Sequence, residues 1–156
     1  MKKKCAGIVL LFLLLAVAFL YKENALNGTN MYASFERGLA NWEDKLLEKI
    51  QIYQGAYIDH EDEAFREFSK FFDIKITSID LRTASESVFT FDPGWSITSF
   101  ELIYCKNRRI NIGADTVFSE EMDELRLEHL GINGEGYIYC KRIKPSWIYR
   151  EIFLPT

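Results

Sequence analysis

The stretch IKITSIDL, residues 74–81, decides the fold. Ile74 and Ile76 alternate with polar neighbours and the segment is rich in β-branched side chains, so the apolar period here is two rather than 3.6. The chain before this stretch has helical periodicity, and most of the chain beyond it has the periodicity of strands.

Upstream, Asn41 is placed to cap a helix whose apolar positions Trp42, Leu46, Ile50 and Tyr53 recur at helical spacing with Leu47 alongside, before Gly55 ends it. A second helix should begin near Glu61 and present Phe65, Phe68 and Phe72. Each helix is apolar along one side, so both must pack on something.

Downstream, SVFTF (residues 87–91) is a strand, and DPGW (92–95) is a turn with Pro and Gly at its two central positions. Ile97 to Lys106 is a longer strand. After NIGAD (111–115), Ser119 is placed to cap a third helix carrying Met122, Leu125 and Leu130, with Gly131 just past its end. Tyr137–Ile143, a turn at Lys144-Pro145-Ser146, and Trp147–Leu154 form a hairpin. The expected class is α+β: two amphipathic helices on a mostly antiparallel sheet of about five strands, with the third helix before the C-terminal hairpin.

IYCK occurs twice, at 103–106 and 138–141. In a strand, Ile103 and Cys105 share one face and Tyr104 and Lys106 the other, and the second copy divides identically. Core packing explains the repeat, because a free cysteine behaves as a small buried hydrophobe. A disulfide between Cys105 and Cys140 is the other reading if the domain is exported. A redox pair is disfavoured by the absence of Cys-x-x-Cys spacing.

The compartment is suggested by MKKKCAGIVLLFLLLAVAFLYKEN, residues 1–24, in which three lysines precede an uncharged apolar run of 16 residues, 6–21. As a helix the run spans ~24 Å, short of a ~30 Å hydrocarbon core but within reach if flanking lysines snorkel. The expectation is a single-pass anchor with the N-terminus in the cytoplasm and the remainder exported. The alternative is a signal peptide cut after Ala16-Val17-Ala18 and a secreted product; Phe19, Leu20 and Tyr21 prolong the apolar character past that point. Cys5 lies before the run, where a lipoprotein cysteine would not. The chain thus divides into a leader (1–23), a tether and lead-in (24–40, opening with the polar NALNGTN of residues 24–30) and one domain (41–156).

Beyond Glu23 there are 15 basic and 22 acidic residues, a net charge of −7, which argues against nucleic acid as a partner. His60 sits in DHEDE (59–63), where acids at a helix start serve the macrodipole, and His129 lies at the expected end of the third helix; neither belongs to a metal-ligand pattern. There is no nucleophile elbow, zinc-protease motif or phosphate-cradling loop, GINGEG (131–136) preceding a strand rather than a helix. No catalytic residue and no cofactor is implied.

Two features suggest a surface. Lys106, Arg108 and Arg109 follow the first IYCK, and Lys141, Arg142 and Lys144 belong to or follow the second. If the strands run parallel the cations gather at one end, where an anionic surface or lipid headgroups would be recognised; their bland role is as solvated strand ends. Tyr137, Tyr139, Trp147 and Tyr149 form either an aromatic recognition surface or ordinary cross-strand pairs. The functional expectation is an extracytoplasmic binding or accessory module, anchored through residues 6–21 and engaging an envelope protein or an anionic surface. The alternatives are a small hydrolase using a His/carboxylate or Cys/His site, and an assembly factor of a membrane complex.

Overall fold

The computed structural model describes residues 13–14, 28–91, 98–112 and 116–155. The leader, apart from helical and exposed Leu13 and Leu14, lies outside the described residues, as does the expected DPGW turn. Among the described residues no helix is long and apolar enough to cross a membrane.

Among the described residues from Gly28 onward, two helices, α1 (Gly28–Ile52) and α2 (Glu63–Ser69), accompany nine strands: β1 (Tyr57–Ile58), β2 (Ile76–Asp80), β3 (Glu86–Phe91), β4 (Thr98–Cys105), β5 (Ile110–Asn111), β6 (Val117–Phe118), β7 (Glu124–Leu130), β8 (Gly136–Lys144) and β9 (Trp147–Phe153). Seven form one sheet in the order β1-β2-β3-β4-β9-β8-β7 with every pairing antiparallel, and β5 and β6 form a separate hairpin. The class is the expected α+β, with a larger sheet than the sequence suggested.

The first helix starts thirteen residues before Asn41, since it opens at Gly28. Met31, Phe35 and Leu39 continue the stripe of Leu46 and Ile50 and are all buried, so residues 28–40 of the expected lead-in are packed helix. Asn41 does not cap but sits mid-helix, its Nδ2 donating to the Arg37 carbonyl at 3.0 Å. Gly38 is required there. A Cβ at this position would lie 2.3 Å from Cζ2 of the Trp42 indole, which folds back across the helix and meets Phe72 with ring centroids 5.0 Å apart.

The expected third helix does not exist: Glu124–Leu130 is the edge strand β7. In ELRLEHL, Leu125 and Leu127 alternate with Glu124, Arg126 and Glu128, a period of two that the more widely spaced Met122, Leu125 and Leu130 conceal. Leu125 pairs with Cys140 and Leu127 with Ile138 before a bulge, at which His129 takes φ 60°.

The sheet separates two cores. On the helix side, Phe35 of α1 and Phe68 of α2 are buried against Phe89, Phe91, Leu102, Trp147 and Tyr149 of the sheet, with Phe35 and Phe91 centroids 4.8 Å apart. On the reverse side Ile103, Cys105, Cys140 and Ile148 meet Ile110, Ile112 and Phe118 of the β5–β6 hairpin. The repeated Ile-x-Cys therefore serves one cluster, as alternation predicts.

The disulfide weighed against this packing is not formed, and both thiols are free and buried. β4 and β8 flank β9 on opposite sides, two strand spacings or about 10 Å apart, and the register sets Cys140 level with Glu101, four residues from Cys105 along β4, so the two cysteines stand well beyond the ~7 Å Cα limit of a bridge.

Candidate functional site

Alternation along β8 puts Tyr137, Tyr139 and Lys141 on the helix side, and the hairpin register sets them opposite Phe153, Glu151 and Tyr149 of β9. Glu151 accepts hydrogen bonds from the Tyr149 hydroxyl at 3.0 Å and from the Tyr137 hydroxyl. The Tyr139 hydroxyl donates to Glu124 Oε2 of β7 at 3.1 Å, and the Arg126 guanidinium lies 4.1 Å from the centre of the Tyr137 ring. Burial, reinforced by the bonded carboxylates, pushes Tyr137 and Tyr139 up to about 12 and raises Tyr149 further. These phenols thus stay protonated and serve as fixed donors. Helix α1 covers Tyr149 but leaves Tyr137 and Tyr139 half-buried and Glu124, Arg126 and Glu128 exposed.

The other aromatic positions are core. Trp147 is fully buried, its Nε1 donating to Glu43 Oε1 at 2.7 Å, and Tyr149 packs edge-on against Tyr32 at 5.9 Å. Only Tyr137 and Tyr139 of the four face solvent in part.

The basic positions are brought to one end, because β4 and β8 are both antiparallel to β9 and so run the same way. Half of them are engaged internally. Lys141 Nζ lies 4.3 Å from the Tyr32 ring centre, and Lys144 pairs with Glu43. On the reverse side Arg142 donates to the carbonyls of Ser119 (2.6 Å), Pro145 (2.8 Å), Met122 (3.2 Å) and Arg108 (3.4 Å), its guanidinium 5.0 Å from the Phe118 ring centre. Arg142 thereby ties the excursion between β4 and β7 to the sheet. Lys106, Arg108 and Arg109 remain exposed in the turn after β4, Arg108 being 3.9 Å from Glu120.

His60 lines a cleft of about 460 Å³ with Phe65, Ser69 and Phe72, and its Nδ1 contacts Asp59 Oδ1. The His60 backbone N–H, then its ring, hold the Asp59 carboxyl below the usual range. Ser69 Oγ donates to the Phe65 carbonyl at 2.8 Å. A second cleft of about 410 Å³, lined by Arg37, Asn41, Trp42, Lys70 and Asp73, runs between α1 and the segment after α2. His129 is exposed on β7. Among the described residues no cluster of three His, Cys, Asp or Glu is arranged to hold a metal.

The thiols are poor nucleophiles here. Burial pushes Cys140 up to about 12 and raises Cys105, whose Sγ–H donates to the Arg109 carbonyl at 2.7 Å.

Sequence reasoning missed Glu151, Glu124, Arg126, Tyr32 and Glu43. Glu151 was findable, since WIYREIF alternates Trp147, Tyr149 and Glu151 onto one face and the Lys144-Pro145-Ser146 turn fixes the register against β8. Glu124 and Arg126 were hidden by the helical reading of β7. No family model, curated protein or solved structure matches this chain.

Proposed function

We propose that this protein is a small extracytoplasmic binding module, held at a membrane by residues 6–21 and engaging a partner protein through the helix-side surface of β7 and β8. The supporting observation is that Tyr137 and Tyr139 are locked by Glu151 and Glu124 beside exposed Arg126 and Glu128 on a part of the sheet that α1 leaves uncovered. Tyrosine gives large contact area with little loss of rotamer freedom, arginine is enriched in interface cores, and hydrogen bonds already made within the surface lower the ordering cost of association. An anionic surface is less favoured as partner, because Lys141, Arg142 and Lys144 are occupied internally.

A photo-crosslinking residue at Arg126 or Glu128 in intact cells tests this. The expected outcome is a discrete adduct at both positions that is absent with the probe at Glu61 and lost in Tyr139→Ala. Identical adducts from Glu61, or none from the strand, would overturn the reading. An assembly factor of a membrane complex is the same reading with a different partner, which the adduct's identity decides.

A small hydrolase is the second reading, favoured by His60 standing against Asp59 at the mouth of a cleft that also holds Ser69. Hydrolysis of activated esters that disappears in both His60→Ala and Ser69→Ala would support it; turnover unchanged by either would remove it.

A further inference from the structure

The contacts of α1 fix its direction along the sheet. Tyr32 contacts Tyr149 and the Arg142 carbonyl, while Glu43, further along α1, reaches Trp147 and Lys144. Tyr149 is the third residue of β9 and Arg142 the seventh of β8, so Tyr32 sits within the sheet; from there helix α1 runs toward the end carrying Lys106 and Tyr104, and its start is directed at the end where β9 finishes at Phe153 and β8 starts at Gly136.

At that first end, the β7–β8 turn presents Ile132, which is 94% exposed, between Gly131 and Gly134 at positive φ. Asn, Asp or Gly would serve such a turn; nothing in the fold calls for an isoleucine there. Its apolar neighbours are at hand. Leu154 is 46% exposed and a Cβ at Gly136 would lie 3.0 Å from its Cδ2, while one at Gly131 would lie 3.7 Å from the Pro155 carbonyl oxygen. Behind them the Tyr137 and Phe153 rings stack at 5.3 Å. The turn itself, GINGE (131–135), has no basic residue.

We infer that this end of the domain lies against the bilayer that holds residues 6–21, with Ile132 and Leu154 entering the lipid interface and Tyr137 at headgroup depth. The inference rests on the anchoring reading above. From Tyr21 to Gly28 there are seven Cα steps, which reach at most about 25 Å, so the start of α1 is confined near the membrane surface. The opposite end stands further off by the length of β8, about 30 Å for its nine residues. An isoleucine at a protruding tip gains by entering hydrocarbon, and aromatic rings favour the layer just above it.

The test uses the full chain with Cys5→Ser, in which Cys105 and Cys140 are buried and a single introduced thiol carries an environment-sensitive fluorophore, at Ile132→Cys or at exposed Gln54→Cys beyond the far end of α1. Each protein is reconstituted into phosphatidylcholine vesicles bearing a nitroxide high on the acyl chain. The expected result is blue-shifted emission, quenched by the nitroxide, at 132, with neither effect at 54. Protein that floats with the vesicles while the label at 132 behaves as that at 54 would overturn the inference and leave anchoring intact. Protein that stays out of the vesicle fraction would overturn both.

Discussion

On the helix side of the sheet, Phe35, Phe68, Phe89 and Phe91 meet ring against ring under a 25-residue helix. On the reverse side the cover is a hairpin of two-residue strands whose Ile110, Ile112 and Phe118 meet the sheet, and the Arg142 guanidinium clamps the segments flanking it through the carbonyls of Arg108, Ser119 and Met122. One face is closed by a large apolar area, the other by a smaller apolar cluster and one guanidinium clamp, and the two should fail differently. Apolar closure is lost together, because its terms are shared among many contacts; directed closure is lost locally, one clamp at a time.

The largest effect should come from Phe89→Ala, which opens a cavity in the helix-side core and should cost about 3–5 kcal/mol of global stability by denaturant titration. A loss under about 1 kcal/mol would mean this core is not what holds the domain together. Arg142→Ala should cost less, about 1.5–3 kcal/mol, and should expose residues 106–123 to protease before the sheet unfolds. Arg142→Lys should not rescue it, since an ammonium cannot span four carbonyls as the planar fork does. Simultaneous loss of the whole domain in Arg142→Ala would erase the distinction between the faces.

High pH singles out the tyrosines of the helix side. Tyr137 and Tyr139 ionise near 10 when unfolded and at about 12 when folded, so both states are protonated below pH 10 and their contribution is fully present there. Above pH 10 the unfolded chain releases protons that the folded one keeps, and stability should fall progressively to about pH 12. Tyr137→Phe should flatten that fall; an unchanged profile would show the phenols to be ordinary. The smallest effect is a reaction that does not happen: Cys105 and Cys140 should resist a thiol reagent at neutral pH and react once the protein is denatured. Native-state reaction of Cys140 at the rate of a free thiol would mean the reverse face is open to solvent.

Local period carried much of the fold in the sequence. Strands β2, β3, β4, β8 and β9 and helix α2 were legible from alternation or from the Phe65, Phe68, Phe72 spacing, and the shared facing of Ile103, Cys105 and Cys140 followed from it. The polar GTN that opens α1 read as tether because Asn and Gly mark turns, yet tertiary burial of Met31, Phe35 and Leu39 outweighs that preference. β7 was lost because Met122, Leu125 and Leu130 offered a competing set of apolar positions. The tyrosine surface was half legible: its members were named, but Trp147 and Tyr149 fall beneath α1, a matter of which elements stack and not of local pattern.

The position of β9 bears on how the chain reaches this state. The last strand in sequence is a central strand in space, wedged between β4 and β8. A polypeptide synthesised from its N-terminus holds two unjoined half-sheets until residues 147–153 emerge, so closure of the sheet waits on β9. The strand order thus leaves the sheet open while β1 to β8 are made and joins its halves only when β9 is inserted.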